Sequence, residues 1–147
     1  MATTRTASAH WEGSLMEGAG QVSLESSGIG TYDVSWPSRA EAANGKTSPE
    51  ELIAAAHSTC YSMALSHGLA QAGTPPTTID TTAEVTFQPG TGITGIVLKV
   101  VGSVSGITAE QFEEAAQAAK TGCPVSQALS AVPITLEVTF SGADDAS

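Results

Sequence analysis

Residues 47–65, TSPEELIAAAHSTCYSMAL, decide the fold. Ser48 stands where an N-cap is needed, Pro49 fits the first helical position, and Glu51 completes an S-x-x-E capping pattern, so a helix starts here. The segment then runs without a break through Ile53, Ala54, Ala55, Ala56, Cys60, Met63, Ala64 and Leu65. Gly73, with Pro75 and Pro76 behind it, predicts the end near Ala72. About 24 residues at 1.5 Å each give a helix of roughly 36 Å, apolar or small all round, as expected of a buried central helix.

Working outward, residues 5–12 alternate and predict a strand paired with residues 21–26 through the glycine-bearing turn between them. Residues 27–46 read as a long loop crossed by a short strand at 32–36, and long loops in compact domains are frequently functional. Beyond the central helix, residues 79–88 and 93–105 are rich in Thr, Val and Ile and flank the turn Pro89-Gly90-Thr91-Gly92, which predicts an antiparallel pair. Thr108 caps a second helix over residues 109–121, ended by Gly122, with Glu110 in its first turn and Lys120 in its last. A short helix from Cys123-Pro124 to about Ser130 and a last strand over 134–140 complete an α+β domain. One domain is expected for 1–147, with its core at about 7–140 and a frayed tail after 142.

Composition excludes several functions. Five Lys and Arg against fifteen Asp and Glu give a net charge of −10, which opposes binding to nucleic-acid phosphates. No apolar run of about 18 residues and no signal-like opening occur, so neither membrane insertion nor export is expected, and a cytoplasmic location is. In a reducing compartment the two cysteines, Cys60 and Cys123, point to redox chemistry or to plain burial rather than to a structural disulfide.

A thiol attacks as thiolate, and at an ordinary pKa of about 8.5 only a few per cent is ionised at neutral pH. Cys60 lies too far along its helix to feel the N-terminal dipole, so it needs a cation. Arg39, in the preceding loop, is better placed than Arg5, and Glu50 could hold its guanidinium in a bidentate pair. Glu50 and Cys60 stand about 15 Å apart along one helix. Arg39 and Glu50 of one subunit are therefore expected to serve Cys60 of another. Cys123 starts a short helix, where backbone N–H groups favour a thiolate, and the pair could cycle through a sulfenic acid and a disulfide.

Each residue also has a plainer reading. A free cysteine on an apolar helix is ordinarily a small buried hydrophobe, Glu50 is explained by the helix dipole, and Arg39 could be a solvated loop cation. His57 and Cys60, spaced i, i+3, could ligate a metal with His67 and His10, but two helical ligands make a weak zinc signal, and packing suits His57 better. Ser58, Ser62 and Ser66 lack the Gly-x-Ser-x-Gly context of a hydrolase nucleophile.

Several segments resemble the OsmC/Ohr family, and within it the OsmC branch: Ala9-His10-Trp11-Glu12-Gly13, the run from Ser48 to His57, Cys60 with Ser62-Met63-Ala64-Leu65, Ile79-Asp80-Thr81-Thr82-Ala83, and Gly122-Cys123-Pro124-Val125-Ser126-Gln127. The resemblance implies an intertwined homodimer, with curved antiparallel sheets around central cysteine-bearing helices and active sites at the subunit interface. It implies a peroxidase of stress defence that reduces organic hydroperoxides, and more weakly hydrogen peroxide, without metal or organic cofactor. Cys60 then matches the peroxidatic cysteine, Cys123 the resolving one, Glu50 the active-site glutamate, and Arg39 the loop arginine, set one residue farther from Pro-Glu-Glu than the family spacing. Arg5 is the second candidate for that arginine. The reductant implied is a thiol or dithiol, for which a lipoyl group is the Ohr-branch model. A hydrophobic-ligand-binding module of the same fold, without turnover, is the alternative.

Overall fold

The computed structural model describes residues 1–142; the tail expected to fray lies outside the described residues beyond Gly142. The chain separates into two compact units, Met1–Leu52 and the part from Ile53 onward.

The first unit holds a three-stranded antiparallel sheet in the order β1 (Ser8–Glu12), β2 (Ala19–Ser23), β3 (Thr31–Val34). The hairpin pairs Ser8 with Ser23 and Glu12 with Ala19, so the first strand starts later than its alternation suggested and Arg5 precedes it. Gly20 is required in β2, because a Cβ there would fall on the His10 carbonyl and the Trp11 ring. Helix α1 (Trp36–Ala40) occupies part of the expected loop. It follows from Ser35, whose hydroxyl accepts from the Ser38 N–H at 3.2 Å while Ser38 Oγ accepts from the Ser35 N–H at 3.1 Å. Five residues are too few to show a helical period, which is why the sequence hides it.

Helix α2 (Pro49–Gln71) starts in the first unit and continues into the second. Ser48 Oγ accepts from the Glu51 N–H at 3.1 Å, but the capping box is not closed by Glu51, whose carboxylate takes the Thr47 hydroxyl at 2.7 Å. At the far end Gly73 adopts φ +85°, and the Thr74 N–H bonds back to the Leu69 carbonyl at 2.9 Å.

The second unit packs α2 and α3 (Ala109–Gly122) against a sheet of β4 (Thr78–Gln88), β5 (Gly92–Ser103) and β6 (Ile134–Phe140). β4 and β5 are antiparallel, as expected, with an irregularity at Thr86/Phe87. β5 and β6 run parallel, so this sheet is mixed, which corrects the all-antiparallel expectation. The connection through α3 and the short α4 (Pro124–Ala128) is a helical crossover, the kind of link that returns a chain to the same end of a sheet. Thr108 caps α3 in a closed box with Gln111.

The core of this unit joins Leu98 and Val100 of β5, Phe112, Ala116 and Ala119 of α3, and Tyr61, Leu65 and Leu69 of α2. Phe112 stacks on Phe140 with ring centroids 5.2 Å apart, and it lies where a side chain at position 102 would be, so Gly102 admits it. Helix α2 is not buried all round as its composition suggested. His57, Tyr61, Leu65 and Leu69, an i, i+4 stripe, face inward, whereas Ala55, Ala56, Thr59 and Met63 are exposed, Met63 at 68%.

Candidate active site

Two of the expected pairs form, one in each unit. In the first, Arg39 reaches the Glu50 carboxylate in a fork, Nε to Oε1 at 3.0 Å and Nη2 to Oε2 at 2.9 Å. The Arg39 side chain is 31% exposed and that of Glu50 only 8%. Local sequence builds this pair: the Ser35-capped α1 carries Arg39 in its last turn, and the Ser48 cap fixes Glu50 in the first turn of α2. Trp36 lies beneath the guanidinium, 6.0 Å from ring centroid to Cζ, and Arg39 opens on an apolar hollow lined by Trp11, Leu15, Val34, Trp36 and Leu52. Arg5, the other candidate, instead donates to the Thr4 carbonyl.

In the second unit Cys60 of α2 meets Cys123, which ends α3 and begins α4. Both thiols are free. Cys60 is part-exposed on a groove lined by Met63, Ala64, Ala115, Ala118 and Ala119, with His67 and Glu114 at its polar side. Cys123 is wholly buried. The two thiols bear on each other, and their acidities move apart. Burial pushes the Cys60 thiol up; the Val125 N–H opposes this, while the Cys123 sulfur adds to it as the acceptor of the Cys60 proton. Burial also raises the Cys123 thiol, but it is outweighed by hydrogen bonds from the Ser126 N–H, Cys60, the Ser126 hydroxyl and the Val125 N–H, and the net movement is downward. The groups acting on Cys60 include no cation.

His57 is wholly buried one turn before Cys60, with Nε2 at 2.7 Å from Ser126 Oγ. No group of three or more His, Cys, Asp or Glu side chains arranged for a metal occurs among the described residues. Sequence reasoning weighed His57 as a ligand or a packing residue and gave Ser126 no role. They stand 69 positions apart, so no local pattern could join them.

The α+β framework thus carries two free thiols, Cys123 buried and Cys60 open to an apolar groove. The family model described as "OsmC-like protein" matches residues 42–137. Peroxiredoxin OsmC of Escherichia coli (strain K12) is 49% identical over 132 residues, 88% of this chain and 91% of that protein. Among solved structures, the organic hydroperoxide resistance protein OsmC of Legionella pneumophila superposes with a TM-score of 0.73 at 25% identity, covering 95% of this chain and 98% of the other. The organic hydroperoxide resistance protein OhrB of Bacillus subtilis gives a TM-score of 0.65 at 25% identity, covering 91% and 98%. The chain belongs to the OsmC family.

Proposed function

We propose that the protein is a two-cysteine peroxidase that reduces organic hydroperoxides, and more weakly hydrogen peroxide, to alcohols and water. The observation that carries the reading is the pair of free thiols packed in one core, of which Cys60 is open to an apolar groove. Access selects Cys60 as the attacking sulfur and leaves buried Cys123 to resolve it. The Cys60 thiolate takes the distal peroxide oxygen, the O–O bond breaks, and the alkoxide leaves and acquires a proton as alcohol. The sulfenic acid then condenses with Cys123 to a disulfide with loss of water. A thiol or dithiol reductant, such as a lipoyl-type dithiol, restores both thiols. The naming of the 49% identical relative as a peroxiredoxin supports the class of reaction.

Cys60 must be ionised to attack, and its own unit holds its proton in place, so the cation has to come from elsewhere. Arg39, steadied by Glu50, is the cation we assign, supplied by the second copy in a homodimer. Two features support such a dimer: α2 presents Ala55, Ala56 and Met63 to solvent, and every residue of β1 is exposed, Trp11 included. An apolar hollow beside Arg39 and an apolar groove at Cys60 favour alkyl over small polar peroxides.

Peroxide consumption with an organic hydroperoxide and a dithiol tests the reading. Turnover is expected in wild type, at background in Cys60→Ser, and replaced by a trappable sulfenic acid on residue 60 in Cys123→Ser. Reduced wild-type protein that consumes no peroxide would overturn it and favour a ligand-binding module.

A further inference from the structure

The groove at Cys60 has two ends of different character. Helix α2 lines it from Cys60 onward through Met63, Ala64 and His67, positions spaced i, i+3, i+4 and i+7 along one helix face. Helix α3 supplies the facing wall with Glu114, Ala118 and Gly122, at i, i+4 and i+8. Gly122 and Pro124 flank Cys123, against whose core Cys60 packs, so the open thiol stands at one end. His67 and Glu114 stand toward the other, about 10–12 Å away at 1.5 Å per helical residue. The walls between are apolar and low, built of Met63, Ala64, Ala115 and Ala118.

Charge separates the ends further. Glu114 is exposed and is the only Asp or Glu among the described residues lining the groove, and no Lys or Arg is among them. Of the lysines in this unit, Lys99 pairs with Glu84 at 3.2 Å on the sheet, and Lys120 does not line the groove. The cation that the proposed site brings to the peroxide, Arg39, is already answered by Glu50. A carboxylate at the far end therefore meets a like charge with no cation to offset it, whereas an uncharged end meets no such repulsion.

We propose that the groove is a lane for a linear hydroperoxide whose reacting end lies at Cys60, and that Glu114 is a specificity-determining residue that selects an uncharged far end over a carboxylate. The inference rests on the peroxidase reading and narrows its substrate class to esters and plain alkyl chains rather than free acids. An extended alkyl chain advances roughly 1.3 Å per carbon, so about eight or nine carbons span the lane. A much shorter acid leaves its carboxylate among Met63, Ala64 and Ala118, where an apolar wall disfavours it whatever stands at position 114. Chain length thus separates the effect of Glu114 from a general exclusion of charge.

The test compares kcat/KM, with a dithiol reductant at about pH 8, where imidazole is neutral, for two acids and their methyl esters: terminal hydroperoxynonanoic and terminal hydroperoxybutanoic acid. Wild type is expected to favour the longer ester over its acid roughly fivefold, the scale of one exposed charge contact. Glu114→Gln is expected to bring that ratio near unity and Glu114→Lys to invert it, while Glu114→Gln leaves the ratio for the shorter pair unchanged. Glu137→Gln, which removes the same charge from an exposed position on β6, is expected to leave both ratios as in wild type. A ratio near unity for the longer pair in wild type, or one unchanged in Glu114→Gln, would overturn the proposal. If wild type consumes no hydroperoxide at all, the peroxidase reading fails and the lane is decided without turnover, by protection of Cys60 from iodoacetamide. Methyl nonanoate protecting better than nonanoate, with the difference lost in Glu114→Gln, would uphold the role of Glu114; equal protection in wild type would overturn it.

Discussion

The two units hold their functional pairs by opposite means. Arg39 and Glu50 are a charged fork, built by neighbouring caps and part-open to solvent; Cys60 and Cys123 are two thiols brought together by core packing and differentiated by it. The first pair is a guanidinium held in place by a carboxylate. The second can change charge but lacks a cation to make its exposed member ionise. In the proposed mechanism each pair supplies what the other lacks.

The sharpest way to separate them is Arg39→Met. Turnover with an organic hydroperoxide is expected to fall roughly 100-fold or more, the scale of losing one preorganised electrostatic contact. Diamide should still close the Cys60–Cys123 disulfide in that variant, because the thiols meet without Arg39. Loss of both would show that the pairs are not independent. Next in size is Phe112→Ala, which empties the wholly buried ring stacked on Phe140 and should cost about 3–5 kcal/mol in urea unfolding. Glu50→Gln keeps the shape but removes the charge facing Arg39, and about 1–3 kcal/mol is expected. A smaller loss would mean that solvent already screens the fork.

The smallest expected effect concerns pH. Cys60, raised by burial, contributes stability that is present below the ordinary thiol pKa and lost as pH rises through its raised value. Cys123, lowered, contributes stability that is present above the ordinary value and lost as pH falls through its lowered one. Because the two oppose each other, unfolding free energy in Arg39→Met should change by less than about 1 kcal/mol between about pH 7 and pH 9. Peptide-resolved alkylation in the same variant should show the Cys60 profile displaced above that of an ordinary thiol.

What the sequence made legible follows the same division. The start of α2 at Ser48-Pro49, its end at Gly73, the Thr108 cap and the strand at Ile134–Phe140 were all readable, because capping chemistry and period-two alternation are local. Arg39 with Glu50 was readable because eleven positions separate them across one loop and one cap. The parallel pairing of β5 with β6 was not, since it depends on where a crossover returns the chain. Nor was the one-sided burial of α2, whose all-apolar sequence looks alike on both faces. His57 with Ser126 was least legible, because only the assembled core brings them together.

The central claim is that Arg39 of one copy serves Cys60 of the other, and subunit mixing tests it. Arg39→Met and Cys60→Ser proteins, each at background alone, are unfolded together and refolded. A shared site predicts recovery of about a quarter of wild-type activity, since random pairing makes half the dimers mixed and each mixed dimer has one intact site of two. Activity that stays at background, with mixed dimers confirmed by mass spectrometry, would contradict the shared site and place the arginine and the cysteine of each site in the same chain.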